Sequence, residues 1–183
     1  PPLSPLRFYT RRSPTMPNTT VPLSYASFSE YFNGIAHGTR KNMARLSRRL
    51  LAAGHVEVVS SSDARAREPL YELYLDVERR SWKEAAHAGI RRDPRRVAHF
   101  RALCQPNHPL EIGFDLVLFD DLPIAAMLSG AFAGSIFGLE MCFDGDHEDL
   151  GPGHLLTLMA MRRAIEGKFR AFNFNGNYAY YNS

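Results

Sequence analysis

The sequence predicts a mixed α/β domain: helices lead into an antiparallel meander, a glycine turn opens a further helix, and a last strand lies parallel to the meander's third. Three observations predict it. Three apolar runs, EIGFDLVLF, IAAMLSGAF and SIFGLEMCF, follow one another between residues 111 and 143 with only short turns between them. Gly151-Pro152-Gly153 then precedes a helical pattern at 154–166. A short apolar run at 169–174 follows that helix, and a strand reached through a helix returns to the sheet in parallel.

Size and composition agree with one core. The chain has 183 residues, 45% hydrophobic and 22% charged, which is globular composition. No apolar run approaches the roughly 20 residues that span a bilayer, and no secretion signal opens the chain, so the expectation is a cytoplasmic protein without a membrane span. The chain begins at Pro1, from which a fragment or processed product is expected. Cys104 and Cys142 read as buried free thiols. The net charge of +3 hides a polarity along the chain. Residues 37–102 carry fifteen Lys and Arg against eight Asp and Glu, whereas 103–183 carry four against ten. The first half therefore suits an anionic partner and the second an amine.

Taken in order, residues 1–24 hold six prolines and no period, and read as a linker or the tail of an upstream domain, with the folded domain at 25–183. Ser27 or Ser29 caps a short helix ahead of Glu30. A stronger helix at 39–53 places Met43, Leu46, Leu50 and Leu51 on one face and Lys41, Arg45, Arg48 and Arg49 on the other, ending at Gly54. HVEVVS at 55–60 alternates as a half-buried strand. Ser62 or Asp63 caps a long helix through Leu70, Leu73, Tyr74 and Val77 that ends near Trp82 and Lys83. Trp82, the only Trp, lies before the small-residue stretch AAHAGI and reads either as a pocket wall or as a core anchor. Asp93-Pro94 starts another helix, which Pro106 and Pro109 break.

The chemistry concentrates at residues 137–156, FGLEMCFDGDHEDLGPGHLL. Gly151 and Gly153 let the chain turn without a Cβ, Pro152 fixes φ between them, and the unpaired N–H groups of the next helix face whatever lies in the turn. Glu140 stands in an apolar strand, where an unpaired carboxylate costs several kcal/mol unless something uses or satisfies it. No metal is expected. His147 among four acids lacks the His and Cys pairs of a zinc site, and DGDHED lacks the twelve-residue calcium pattern.

In this order the stretches TRKNMARLSRRL, ERRSWK, LPIAAMLSGAFAGSIFGLEMCFD and LGPGHLLTLMAMRRAIEGKFRAFNFNG resemble the GNAT acyltransferases, and within them the Fem-type and CelD-like acetyltransferase group, over about residues 23–181. The resemblance implies a GNAT-like fold in which the third meander strand and the following strand splay apart around an acyl-CoA. It implies an N-acyltransferase that passes an acyl group from acyl-CoA, acetyl-CoA or an acyl-carrier protein to a primary amine by direct attack in a ternary complex. Glu140 is then the proton acceptor, and Tyr178 or Tyr180 protonates the leaving thiolate. Backbone of Met141 or Cys142 meets the oxyanion, and Gly151, Gly153, His154 and Leu155 hold the pyrophosphate. Trp82, Lys83 and Asn175 line the acceptor side. The acceptor is a small amine, an amino sugar or an amino acid, and a homodimer is an expected assembly. Two features depart from the family. Glu148 occupies the place of the Arg or Gln that opens the usual turn, and the chain stops at Ser183, before the helix and two strands that usually follow. The Fem likeness also implies an alternative, aminoacyl or peptidyl transfer from charged tRNA, with the basic helix on the RNA. A third reading is a GNAT-like binding module without catalysis.

Overall fold

The computed structural model describes residues 19–106, 108 and 110–175. Its order is β1 (Thr20–Pro22), α1 (Phe28–Gly34), α2 (His37–Ala53), β2 (Val56–Ser61), α3 (Arg67–Arg79), α4 (Trp82–Ala85), α5 (Pro94–Leu103), β3 (Glu111–Phe119), β4 (Leu122–Phe132), β5 (Ser135–Phe143), α6 (Pro152–Glu166) and β6 (Ala171–Asn173). 3₁₀ segments lie at Ile90–Arg92 and Gly145–Leu150. The strands form one six-stranded sheet in the order β1-β6-β5-β4-β3-β2. Every neighbouring pair is antiparallel except β5 and β6, which the α6 crossover makes parallel.

The meander forms because its turns suit its twist. Asp120 and Asp121 both have positive φ, as do Ala133 and Gly134, the geometry of two-residue turns that match right-twisted strands. Helices cover both faces, which explains runs of continuous apolar character in β3 and β4. Val117, Ala125, Met127 and Ile136 point to one face, beneath Leu50 of α2 and Leu156, Ala160, Met161 and Ala164 of α6. Ile112, Phe114, Leu116, Ala126, Leu128 and Cys142 point to the other, beneath Leu70, Tyr71, Tyr74 and Val77 of α3.

Three local expectations are corrected. Within the stretch expected as linker, Thr20–Pro22 is an edge strand on β6, and Leu23 is buried. Ser62 and Asp63 do not cap the long helix. The Asp63 side chain accepts the Arg65 amide at 3.0 Å and its carbonyl accepts the Ala66 amide at 3.0 Å, so a separate turn forms and α3 starts at Arg67 without a side-chain cap. That helix also stops at Arg79, short of Trp82, because Ser81 caps a new helix, α4, by accepting the Lys83 amide at 3.2 Å. Among the described residues no helix is long and apolar enough to cross a membrane.

Candidate active site

The parallel pairing of β5 with β6 is short. It holds from Ser135, Ile136 and Phe137 against Ala171, Phe172 and Asn173 and then ends, while β5 continues to Phe143 along β4. A bulge at Leu139, between the Ser129–Gly138 and Leu128–Glu140 pairs, bends β5 where the two strands part. The gap is a cleft of about 170 Å³. Met127, Met141, Phe143 and Phe174 make its apolar wall, Gly138 its floor, and Trp82, Lys83, Glu140 and Asn175 its polar edge.

The α3–α4 junction is fastened to the end of β5, and this brings Trp82 and Lys83 to the cleft. Arg80 Nε donates to Asp144 Oδ2 at 2.8 Å and Arg80 Nη2 to the Pro123 carbonyl at 2.6 Å. Gly145 N donates to the Arg80 carbonyl at 2.9 Å, and Ser81 bridges Asp144. With the backbone held there, Lys83 is 7% exposed, and its Nζ donates to Glu140 Oε2 at 2.5 Å. The other carboxylate oxygen, Oε1, accepts Arg96 Nη2 at 2.7 Å. Arg96 Nη1 in turn donates to the Ala88 carbonyl at 3.0 Å, so α5 clasps the loop that follows α4, the helix of Trp82 and Lys83. Glu140 thus stands in the cleft wall with a cation on each oxygen, and the Glu140 carboxylate meets its partners from two different helices.

The amides of β5 sort themselves by direction. Asp144 N donates to the Ile124 carbonyl at 2.7 Å across the ladder, and backbone direction alternates along a strand. Cys142, two residues earlier, therefore turns its amide into the same ladder, and Met141 turns its amide toward the gap. The expectation that either residue serves the oxyanion narrows to Met141. The Cys142 side chain faces away from the cleft, its thiol against the Tyr74 carbonyl at 3.9 Å, and burial pushes that thiol up to about 12.

The glycine turn is built as expected, but it holds fewer free amides. Gly151 has φ +67°, and a Cβ there would come within 2.9 Å of the Leu46 side chain, so a close approach to α2 fixes this glycine. Its N–H donates to the Glu148 carbonyl at 2.9 Å, and the His154 N–H donates to the Gly151 carbonyl at 3.1 Å. Pro152 at the first helical position has none. The expected cradle of Gly151, Gly153, His154 and Leu155 is thereby corrected: the first and third amides are used inside the turn. Gly153 marks where the turn meets the cleft, since a Cβ on it would lie 3.1 Å from the Phe143 ring. Asp146, Glu148 and Asp149 precede the turn, an acidic approach to the end of a helix that favours anions. His154 is half-buried, and desolvation lowers its pKa. Leu155 packs into the α2–α6 core.

Of the expected site residues, the fold gathers Trp82, Lys83, Glu140, Met141 and Asn175 on one cleft, whereas Cys142, on the same sheet face as Glu140, is buried beneath α3 and does not line it. Trp82 is 53% exposed, so it is a cleft wall and not a core anchor. Tyr178 and Tyr180 lie outside the described residues. Sequence reasoning missed Arg96, Met127, Gly138, Phe143 and Phe174. Arg96 lay in plain view in the run Arg91-Arg92-Asp93-Pro94-Arg95-Arg96, yet nothing local marks which arginine reaches a partner 44 residues away.

The sequence profile of the GNAT acetyltransferase domain matches residues 37–183. Among solved structures, the fold is similar to that of FemX, with a TM-score of 0.63 at 13% identity over 89% of this chain and 54% of that one. A conserved protein of unknown function from Bacteroides thetaiotaomicron matches with a TM-score of 0.57 at 10% identity, over 93% of this chain and 53% of its own. The C-terminal domain of a candidate lysylphosphatidylglycerol synthetase from Agrobacterium fabrum matches with a TM-score of 0.52 at 13% identity, over 86% of this chain and 44% of its own. This chain thus spans about half the length of the structures it resembles. No curated protein sequence matches it.

Proposed function

The chain belongs to the GNAT acetyltransferase domain family, and we infer from its cleft that it moves an acyl group from an acyl thioester, acyl-CoA or acyl-carrier protein, to a primary amine. One observation carries this reading: where β5 and β6 part, an apolar channel opens beside the Met141 amide and ends on a carboxylate that already holds an ammonium group, that of Lys83.

Each part has a task. An amine near pKa 10 is almost wholly protonated at neutral pH, so attack on the thioester needs a proton acceptor next to the nitrogen. Glu140 Oε2 occupies that place, with Arg96 holding the other oxygen and fixing the carboxylate's orientation. Attack creates an oxyanion, for which the Met141 amide is a fixed donor. Met127, Met141, Phe143 and Phe174 exclude water from the acyl chain and thioester. Trp82 and Asn175 border the acceptor, and Tyr178 or Tyr180 protonates the departing thiolate. The Gly153 and Leu155 amides, at the start of α6, lie toward the donor's pyrophosphate. The protein is expected to work as a soluble cytoplasmic enzyme, and as a homodimer.

Calorimetric titration with acetyl-CoA and with a long-chain acyl-CoA tests the donor. Gly153→Asp drives a carboxylate against Phe143 at the mouth of the cleft and is expected to abolish a micromolar affinity. Absence of binding to both thioesters would withdraw the acyl-CoA reading.

A second reading, aminoacyl transfer from charged tRNA, is favoured by the exposed cations Lys41, Arg45, Arg48 and Arg49 of α2, the helix that seats Gly151. RNA held by these side chains would release counterions, so its affinity would fall linearly with the logarithm of salt, with a slope of about −0.7 per phosphate neutralised. Uncharged tRNA in a salt series distinguishes it from the thioester reading.

A further inference from the structure

Lysine is scarce in this protein and its placement is uneven. Of 22 basic residues only Lys41, Lys83 and Lys168 are lysines, leaving 22 − 3 = 19 arginines. Among the described residues every ion pair that does not involve His147 uses arginine, except one: Lys83 with Glu140. Lys41 and Lys168 are exposed, whereas Lys83 is buried against the cleft. The chemical difference matters there. A guanidinium does not give up its proton in a protein, whereas an ammonium hydrogen-bonded to a carboxylate can transfer one to it during reaction, and only the free amine is a nucleophile.

We propose that Lys83 is a self-acylation site: in the donor-loaded protein its Nζ takes the acyl group in place of an external amine. This rests on the thioester reading above. Lys83 Nζ lies 2.5 Å from Glu140 Oε2, the position an acceptor ammonium must take to reach the same base. It also lines the cleft that the acyl group enters, with Met141 on the adjoining wall. The step balances. The Lys83 ammonium passes one proton to Glu140, and the free amine forms a C–N bond to the thioester carbonyl as the C–S bond breaks. The departing thiolate takes the second proton from the attacking nitrogen to leave as a free thiol, and Glu140 returns its proton to solvent. The product is an amide, which does not transfer further, so this is a covalent modification and not an intermediate of turnover. It removes one of the two cations that hold Glu140 and leaves Arg96 as its partner.

The test is incubation of the whole chain with acetyl-CoA, and in parallel with S-acetyl-N-acetylcysteamine, followed by intact mass and peptide mapping. The expected result is one added acetyl group at Lys83, formed at least about tenfold faster than at Lys41 or Lys168, because proximity to base and thioester acts only there. Lys83→Arg abolishes that label while keeping a cation beside Glu140. Glu140→Gln slows labelling at Lys83 and leaves the two exposed lysines unchanged. Acetyl-CoA binding with no label at Lys83, with equal labelling of all three lysines, or with labelling indifferent to Glu140→Gln overturns the proposal while the thioester reading stands. Label at Lys83 from the small thioester without acetyl-CoA binding supports the proposal and counts against a nucleotide donor. Failure of both thioesters to bind or to label overturns the two together.

Discussion

Two carboxylates of the sheet strands, Asp115 and Glu140, are paired with cations, and their surroundings differ in kind. Asp115 on β3 is fully buried and takes three donors: Arg163 Nε at 3.0 Å, Arg163 Nη2 at 2.7 Å and Ser60 Oγ at 2.6 Å. Arg163 is itself tied to Ser129 Oγ at 2.9 Å, and Ser129 to the Gly113 carbonyl at 3.2 Å. The network joins β2, β3, β4 and α6. Glu140 on β5 has one cation on each oxygen, and its side chain, 15% exposed, faces a cleft. A buried charge satisfied on all sides by fixed neighbours specifies packing. Glu140 instead holds its cations at the edge of an opening.

Four substitutions or conditions sharpen that contrast. Glu140→Gln is expected to lower turnover about 10²–10⁴-fold while leaving donor affinity unchanged, since it removes the proton acceptor and keeps the shape; steady-state kinetics beside calorimetry checks this, and a loss of fold stability in place of turnover would put Glu140 in the same class as Asp115. Asp115→Ala is expected to cost about 3–5 kcal/mol in urea unfolding, because it leaves the partly buried Arg163 guanidinium without its carboxylate. Gly151→Ala strains a left-handed position against Leu46 and is expected to cost about 1–3 kcal/mol in the same measurement. Gly153→Ala, whose Cβ meets only the Phe143 ring, is expected to weaken the donor more than the fold.

The smallest effects come from titrating groups that do not line the cleft. Burial pushes Cys104 up to about 11 and Cys142 up to about 12, so both thiols are expected to resist a thiol reagent at about pH 8 until the protein unfolds. Burial lowers the His154 pKa in the folded protein, so the unfolded chain binds the proton more readily. Stability from this residue is present above the ordinary histidine value of about 6.5 and is lost as pH falls below it. Unfolding measured at a series of pH values should show that slope, and His154→Gln should flatten it.

How much of this was legible beforehand varies by distance along the chain. The meander was legible because its turns and alternation are local, and so was the parallel return of β6, since a helix between two strands leaves little choice. The position of Ser81 as a cap and the turn at Asp63 were not. Ser62, Asp63 and Ser81 are all acceptable caps by type, and only hydrogen bonds formed in the folded chain choose among them. The glycine turn could be placed but not its free amides, because whether Gly151 and His154 donate inward depends on the path of the 3₁₀ segment before them.

The sequence by itself determined the meander, the glycine turn with the helix and strand that follow it, and the carboxylate in β5, because periodicity, propensity and turn chemistry act within a few residues. Only the tertiary structure decided that Glu140 meets Lys83 across 57 residues and Arg96 across 44, that Cys142 looks away, and that Trp82 borders the cleft. Those facts follow from where β5 parts from β6 and from the Arg80–Asp144 tie that brings α4 against it. Contacts over such separations are set by the packing of whole elements, which no local pattern encodes.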